Sequence, residues 1–189
     1  MSSKAAKVAE LFTKTIASTK CFDHNLRKVK VVCCDKGRLV TEFQVGPEHL
    51  NQRGTLHGGF IAHLVDAIST YALTANDNVE TRGVSIDLSV SYFSAAREGD
   101  NIEVEAFTRK VGKKIAFLEV EVRNKDTNQV LATGRHTKYV GVKEKTVYEA
   151  FLFLQIKITT DNLFNYCYGC IIIKVSLARQ ISTGFIDLM

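Results

Sequence analysis

The strongest constraint on the fold is a long apolar segment near the middle of the chain. Between residue 57 and about residue 75, apolar side chains recur at spacings of three and four, the period of an α-helix. These side chains are Phe60, Ile61, Leu64, Val65, Ile68, Ala72 and Leu73. A helix this apolar must bury most of its surface, which it can do against one face of a sheet. The sequence therefore predicts a sheet wrapped around one central helix.

Strand patterns lie on both sides of this helix. The sequence predicts strands at 28–34, 38–45, 84–93, 101–109, 114–123 and 129–140. In the clearest of them, period-two alternation places Ser85 and Asp87 on the face opposite to the apolar residues Val84, Ile86, Leu88, Val90 and Tyr92. Consecutive hairpins favour an antiparallel sheet, so the fold class is α+β. An amphipathic helix over residues 4–19 is expected to cover one edge of the domain.

Composition limits the kind of protein this can be. The 189 residues, 46% of them hydrophobic, suit one globular domain with an extension and exclude disordered or collagen-like chains. The longest segments without Asp, Glu, Lys or Arg, 54–65 and 162–173, are far shorter than the roughly 20 residues of a membrane-spanning helix, so no membrane span is expected.

The compartment is predicted from the cysteines and the start of the chain. Five cysteines form an odd set, and no secretory leader precedes them, which favours a reducing, cytoplasmic location. Four lysines among apolar residues between 4 and 20 make the mitochondrion a second candidate, although Glu10 and the absence of Arg there argue against it.

Several motifs occur together in a recognisable order. The segment Asn51–Gly59 reads NQRGTLHGG, Asp66 follows inside the helix, and Gly83–Asp87 and Tyr92 lie on the next strand. In these residues the chain resembles the hotdog-fold acyl-CoA thioesterases, and the resemblance extends over residues 5 to about 141. It implies a hotdog fold, a homotetramer built from dimers, and hydrolysis of fatty acyl-CoA thioesters, of medium to long chain length, without metal or cofactor.

Two glycines at the start of the central helix need an explanation, because glycine lowers helix stability by about 1 kcal/mol relative to alanine. Gly58 and Gly59 could allow close packing of the helix against a strand, the alternative favoured by the pair alone. They could also let a ligand approach the free N–H groups at the positive end of the helix dipole. The resemblance implies the second role, with Gly58 as oxyanion donor.

Asp66 is the only Asp, Glu, Lys or Arg of the helix, and a lone helical Asp is commonly a solvated surface residue. A partly buried carboxylate that one water can reach is also a suitable general base. The resemblance implies that Asp66 is the base, or less favourably the nucleophile, in a site shared between subunits. It also implies that Ser85 helps Asp66 to hold the attacking water. No Gly-x-Ser-x-Gly motif surrounds any serine, which argues against a serine nucleophile.

Asn51 and His57 flank the loop that leads into the helix. Either could cap the helix or hydrogen-bond a bound thioester. The resemblance implies that Asn51 orients the carbonyl and that His57 helps to fix this geometry. The remaining histidines, including His136, lack metal-ligand spacing, so no metal site is predicted.

A cluster of cations, Arg109–Lys114, surrounds a predicted hairpin turn. Such a turn is usually just solvated, but clustered cations with a free backbone N–H also suit the phosphates of CoA. The resemblance implies that CoA is bound here by a set of residues comprising Lys110, Gly112, Lys113, Lys114, Tyr92 and Tyr139. Nucleic acid is the rival ligand, but no nucleic-acid fold signature accompanies the cluster.

The predicted domain organisation is a hotdog domain over residues 1–142 and an extension over 143–189 that does not match the family and has no catalytic role. Cys167 and Cys170 in the extension are assigned no function. The main rival function is a non-catalytic acyl-CoA-binding module that regulates a lipid-transfer partner. A hotdog dehydratase is disfavoured because the loop–helix motif is of the thioesterase type.

Overall fold

A computed structural model describes residues 4–141 of the chain, which form two α-helices and six strands. In chain order these are α1 (Lys4–Ser18), β1 (Lys30–Asp35), β2 (Arg38–Gln44), α2 (Gly58–Ala75), β3 (Val84–Tyr92), β4 (Asn101–Val111), β5 (Ile115–Asn124) and β6 (Val130–Tyr139). The predictions for the extension, 143–189, and for Cys167 and Cys170 lie outside the described residues.

The strands form one antiparallel sheet in the order β1-β2-β4-β5-β6-β3. The predicted turn between β1 and β2 is confirmed, since Gly37 has φ 86°, a value that side-chain-bearing residues rarely adopt. β3 pairs with β6, the last strand of the domain, and not with β4, which follows it in the chain. In the described residues, the two edges of the sheet are therefore β1 and β3.

Helix α2 forms the centre of the core, as its apolar period predicts. Leu64, Val65 and Ile68 are fully buried against the sheet. A Cβ atom on Gly134 of β6 would lie only 2.5 Å from Val65 Cγ1, so only glycine lets the helix approach this strand so closely. This close approach brings one face of α2 next to the β6 side chains that follow Gly134.

Helix α1 covers the β1 edge and buries Val8, Phe12 and Ile16, which confirms the predicted amphipathic helix. Its first residue, Lys4, donates from Nζ to the carbonyl oxygen of Asn76 at 2.5 Å and to that of Val79. A cation at the C-terminal end of a helix is stabilised by the helix dipole. Lys4 therefore ties α1 to the end of α2.

Strand β3 departs from the predicted alternation. Ser85 lies opposite Lys138 and Asp87 lies opposite Thr137, so Ile86 is an additional residue that makes a β-bulge. The two partners are adjacent on β6, and adjacent strand residues point to opposite faces of the sheet. Ser85 and Asp87, which lie opposite them, therefore also point to opposite faces. The prediction that Ser85 and Asp87 share a face is wrong, because the bulge turns Ser85 toward α2.

The free edge of β3 is apolar. Val84, Ile86, Tyr92 and the adjoining Phe93 are each more than half exposed. Within the described residues this strand has a hydrogen-bonded neighbour on one side only. Proteins usually cover or charge an edge of this kind; in the described chain β3 is not covered, and Asp87 is its one charged residue.

Candidate active site

The first turn of α2 presents one unused backbone donor. His57 is the N-cap residue, and its Nδ1 accepts the N–H of Gly59 at 2.8 Å. No hydrogen bond in the described chain uses the N–H of Gly58. Of the two expectations for His57, capping is observed, and it leaves Gly58 as the donor that a ligand can reach.

Packing accounts for one of the two glycines. A Cβ atom on Gly59 would lie 3.0 Å from the His57 ring, which is tight, whereas one on Gly58 would lie 3.5 Å from the nearest Tyr92 atom, an ordinary contact. The Tyr92 hydroxyl donates to the Gly58 carbonyl at 2.9 Å and so links the start of α2 to the end of β3. Close packing thus does not explain Gly58.

Asn51 organises the loop that leads into α2. Its side-chain Nδ2 donates to Thr55 Oγ1 at 2.8 Å, and its Oδ1 accepts the N–H groups of Arg53 and Thr55. Asn51 therefore closes its own loop and does not cap the helix. One of its two amide N–H groups can still be donated to a ligand.

Asp66 and Ser85 meet at a third side chain, that of His136. Asp66 is half-exposed on α2, and its Oδ1 lies 3.7 Å from His136 Nε2. The same nitrogen lies 2.9 Å from Ser85 Oγ. The structure therefore brings together the predicted base and the predicted water-holding hydroxyl, although they come from different elements.

His136 and its neighbour Lys138 were missed as site residues in the sequence. They lie on the face of β6 that contacts α2, where Lys138 Nζ donates to Thr70 Oγ1 at 2.8 Å. The signal that could have found them is the alternation of β6, in which Ala132, Gly134, His136 and Lys138 share one face. Two titratable residues in an otherwise small and apolar row are unusual.

Electrostatics keep the His136 ring uncharged. Burial, followed by the positive charge of Lys138, lowers the pKa of His136 to about 4, although Asp66 and Asp87 act in the opposite direction. Burial also lowers the pKa of Lys138, while Asp66 opposes that shift. The imidazole is therefore neutral at physiological pH, with one donor and one acceptor nitrogen.

The cationic hairpin only partly matches its prediction. Lys110, Lys113 and Lys114 are exposed at the β4–β5 turn, as expected. The N–H of Gly112, however, donates to the Ile115 carbonyl at 2.8 Å, so it is not the free donor that the sequence suggested. The reason is that Gly112 closes the hairpin itself.

The two predicted tyrosines lie at different places. Tyr139 pairs with Ile115 and adjoins the cationic hairpin, as predicted. The first residue of β3 pairs with Tyr139, whereas Tyr92 lies at the other end of β3. The separation of eight residues between these two positions of β3 corresponds to a distance of about 26 Å. The expectation that Tyr92 neighbours the hairpin is wrong within one chain, because β3 runs away from this end of the sheet.

The predicted site residues next to α2 thus form two groups at different points along this helix. Gly58, His57 and Tyr92 are at the start of α2, and Asp66, with Ser85, is eight residues further along. A helix rises about 1.5 Å per residue, so the two groups are about 12 Å apart. The second group adjoins the end of the sheet that carries the hairpin lysines, because Ser85 pairs with Lys138 next to Tyr139.

Comparisons with known proteins identify the family. The sequence model of the thioesterase superfamily matches residues 53–131. Acyl-coenzyme A thioesterase 13 of Mus musculus is 40% identical over 141 residues, which cover 75% of this chain and 99% of the relative. The chain belongs to the thioesterase superfamily. A putative esterase of Caenorhabditis elegans is also similar, at 38% identity over 70% of this chain and 77% of its own length.

Solved structures of this superfamily have the same fold. The crystal structure of zebrafish thioesterase superfamily member 2 matches with a TM-score of 0.70 and 38% identity, over 74% of this chain and all of that one. The mouse structure of the same name matches at 0.67 and 40% identity, over 75% of this chain and all of that one. The predicted hotdog fold and thioesterase class are therefore confirmed. In the described part of this thioesterase, no helix is both long and apolar enough to cross a membrane.

The neutral His136 gives this thioesterase a specific pH dependence. Its pKa is about 4 in the folded state and about 6.5 when unfolded, so the unfolded chain binds the proton more readily. Keeping His136 neutral in the folded state therefore costs nothing above pH 6.5, where the unfolded chain is also neutral. As the pH falls toward 4, protonation of the unfolded chain lowers the free energy of unfolding. The difference in unfolding free energy between wild type and His136→Asn should shrink by up to about 3 kcal/mol from pH 7 to pH 4.

Urea titrations at several pH values measure this difference. Burial lowers the pKa of His49 and His63 as well, but both histidines remain in the variant, so their contributions cancel in the comparison. A difference that stays constant between pH 7 and pH 4 would show that His136 titrates alike in both states.

Proposed function

We propose that this protein hydrolyses fatty acyl-CoA thioesters to a free fatty acid and CoA. The observation that carries the substrate class is the 40% identity to mouse acyl-coenzyme A thioesterase 13 over nearly its whole length. The thioesterase chemistry is supported by the unused Gly58 N–H and by Asp66 and Ser85, which both lie beside His136 Nε2.

We assign the residues the roles that the resemblance implies. Asp66 takes a proton from a water held by Ser85, and the water oxygen attacks the thioester carbonyl. The carbonyl oxygen gains negative charge, which the Gly58 N–H stabilises at the positive end of the helix. As the C–S bond breaks, the proton held by Asp66 returns to the CoA sulfur. Asn51 orients the carbonyl with its remaining amide N–H.

The site requires a second copy of the chain. Gly58 and Asp66 are about 12 Å apart on one rigid helix, whereas a water and a carbonyl carbon must approach to about 3 Å. One thioester cannot contact both residues of a single chain. We therefore place the Gly58 of one protomer opposite the Asp66 of its partner.

The exposed edge of β3 offers a way to bring two protomers together. Ser85 lies near one end of β3 and Tyr92, which contacts Gly58, lies at the other end. Antiparallel pairing of two β3 strands about their midpoints would set the Ser85 end of one beside the Tyr92 end of the other. Each dimer then contains two equivalent sites. Assembly of two such dimers into a tetramer stays a prediction from the resemblance.

The cationic hairpin is suited to the phosphates of CoA. Lys113 and Lys114 are exposed next to Tyr139, at the end of the sheet nearest to Asp66 and Ser85. Charged lysines in this position would hold the nucleotide while the thioester reaches the Asp66 group. Across a β3–β3 dimer, the Tyr92 of the second protomer would lie near the same end.

The proposed function is tested with the full chain and a panel of acyl-CoAs from short to long acyl groups. We expect release of free thiol, fastest with medium to long chains, at a rate that saturates with substrate. Calorimetry with the same acyl-CoAs measures binding in parallel. Binding without thiol release would overturn the hydrolase proposal and support the acyl-CoA-binding module. A lipid-transfer partner and a cytoplasmic or mitochondrial location stay predictions from the sequence.

A further inference from the structure

His136 is a buried polar group next to the proposed site, and none of the steps above uses it. Its side chain is about 1% exposed. Its Nδ1 lies 2.8 Å from Ser69 Oγ on α2, and its Nε2 lies 2.9 Å from Ser85 Oγ on β3. We propose that His136 is a positioning residue that fixes the Ser85 hydroxyl relative to the Asp66 carboxylate. This inference rests on the proposed hydrolysis.

Ser85 needs such a partner because of where it lies. It is an exposed residue on the edge strand, immediately before the bulge at Ile86. An exposed serine can occupy three staggered rotamers. A hydrogen bond to a fixed ring selects the rotamer that points toward α2, and a water held by this hydroxyl then has a defined position.

The ring itself is held by the same helix that carries Asp66. Ser69 is fully buried and lies three residues after Asp66, so both project from one side of α2. The chain of contacts from Ser69 to His136 to Ser85 therefore sets the position of β3 against the helix that bears the base. It is the contact in this part of the site that joins the strand bearing the hydroxyl to the helix bearing the base through side chains.

Both ring nitrogens suit this role in the neutral imidazole. One nitrogen donates and the other accepts, and a serine hydroxyl can do either. The charged groups around the ring are Lys138 on the same strand, Asp66 on α2 and Asp87 on β3. Asp66 Oδ1 lies 3.7 Å from the Nε2 atom that contacts Ser85.

A double-mutant cycle distinguishes positioning from a structural role. We expect His136→Ala to lower kcat about 10- to 100-fold with little change in KM. If His136 acts through Ser85, the Ser85→Ala/His136→Ala protein should be no slower than Ser85→Ala alone. Effects that multiply in the double variant would overturn the inference. Thr137→Ala, the next residue on the opposite face of β6, is the matched control and should retain kcat.

A second route keeps the test decisive if His136→Ala does not fold. Ser69→Ala removes the hydroxyl at Nδ1 and should lower kcat by a smaller factor, again without adding to Ser85→Ala. His136→Gln keeps an amide near the position of Nε2 and should restore part of the loss. If Ser85→Ala itself leaves kcat unchanged, the proposed water-holding role of Ser85 fails. If Ser85→Ala lowers kcat and a His136 or Ser69 variant lowers it further in the double variant, only the positioning by His136 is contradicted.

Discussion

Replacement of Gly58 by proline should lower kcat for thioester hydrolysis about 10²- to 10³-fold while the protein stays folded. Proline has no backbone N–H, so this change removes the proposed oxyanion donor and nothing else from the first turn of α2. Loss of one oxyanion donor has an effect of about this size in other enzymes.

The local structure tolerates this substitution. Gly58 is the first helical residue. Proline is favoured at this position because a backbone N–H there would have no partner within the helix. His57 has φ −67° and ψ 126°, the extended conformation that the residue before a proline prefers. The nearest atom to a new Cβ would be on the Tyr92 ring at 3.5 Å.

The matched control is Gly58→Ala, which adds a Cβ but keeps the N–H. We expect Gly58→Ala to retain most of the activity, and melting temperatures of both variants should remain close to that of the wild type. Equal kcat values for the proline and alanine variants would show that the Gly58 N–H does not stabilise the transition state.

Replacement of Asp66 by asparagine should lower kcat about 10²- to 10⁴-fold, the usual contribution of a general base. The amide has nearly the same shape and can still contact His136, so the change isolates the loss of the base. Asp66 is half-exposed, and we therefore expect no large change in stability. Asp77, an exposed carboxylate just after α2, provides the control Asp77→Asn.

Turnover in ¹⁸O-labelled water separates the two roles left open for Asp66. A base transfers a proton only, so the label should enter the fatty acid and not the protein. If Asp66 were the nucleophile, its intermediate would be a mixed anhydride: water attack at the Asp66 carbonyl would place ¹⁸O in that carboxylate, and attack at the fatty-acyl carbonyl would leave the anhydride itself to be trapped by hydroxylamine, both of which peptide mass spectrometry detects.

Mixing the two inactive variants tests whether the site is shared. In a dimer of one Gly58→Pro chain and one Asp66→Asn chain, one site carries both defects and the other carries neither. If chains exchange at random, half of the dimers are mixed and about a quarter of the wild-type activity should return. Mass spectrometry verifies that the chains have exchanged. If activity does not return after verified exchange, the site is not built from two protomers.

The helices and strands could be predicted from the sequence because their signals are local. The apolar period of α2 and the alternation of β4, β5 and β6 each arise within a few residues, and the structure confirms them. The capping role of His57 was one of two expectations from its place before the helix. Only the hydrogen bond to Gly59 shows that Gly58 keeps the free donor.

The misplaced residues depend on pairing between distant strands. Val84–Tyr92 alternates without a fault in the sequence, yet the register against β6 makes Ile86 a bulge and reverses the direction of Ser85. Tyr92 was expected beside the hairpin, but this depends on the position of β3 at the far edge of the sheet. The sequence excludes His136 as a metal ligand and assigns it no other role, whereas the proposed positioning role rests on contacts with Ser69 and Ser85 on two other elements.

The open apolar edge of β3 has a consequence for synthesis of the protein. A newly folded protomer presents nine residues of unpaired strand to every other chain in its vicinity. The proposed β3–β3 pairing is a second-order process, and it would compete with disordered association through the same backbone groups. The soluble yield should therefore depend on how fast chains are made and on whether a chaperone shields this strand until two protomers meet.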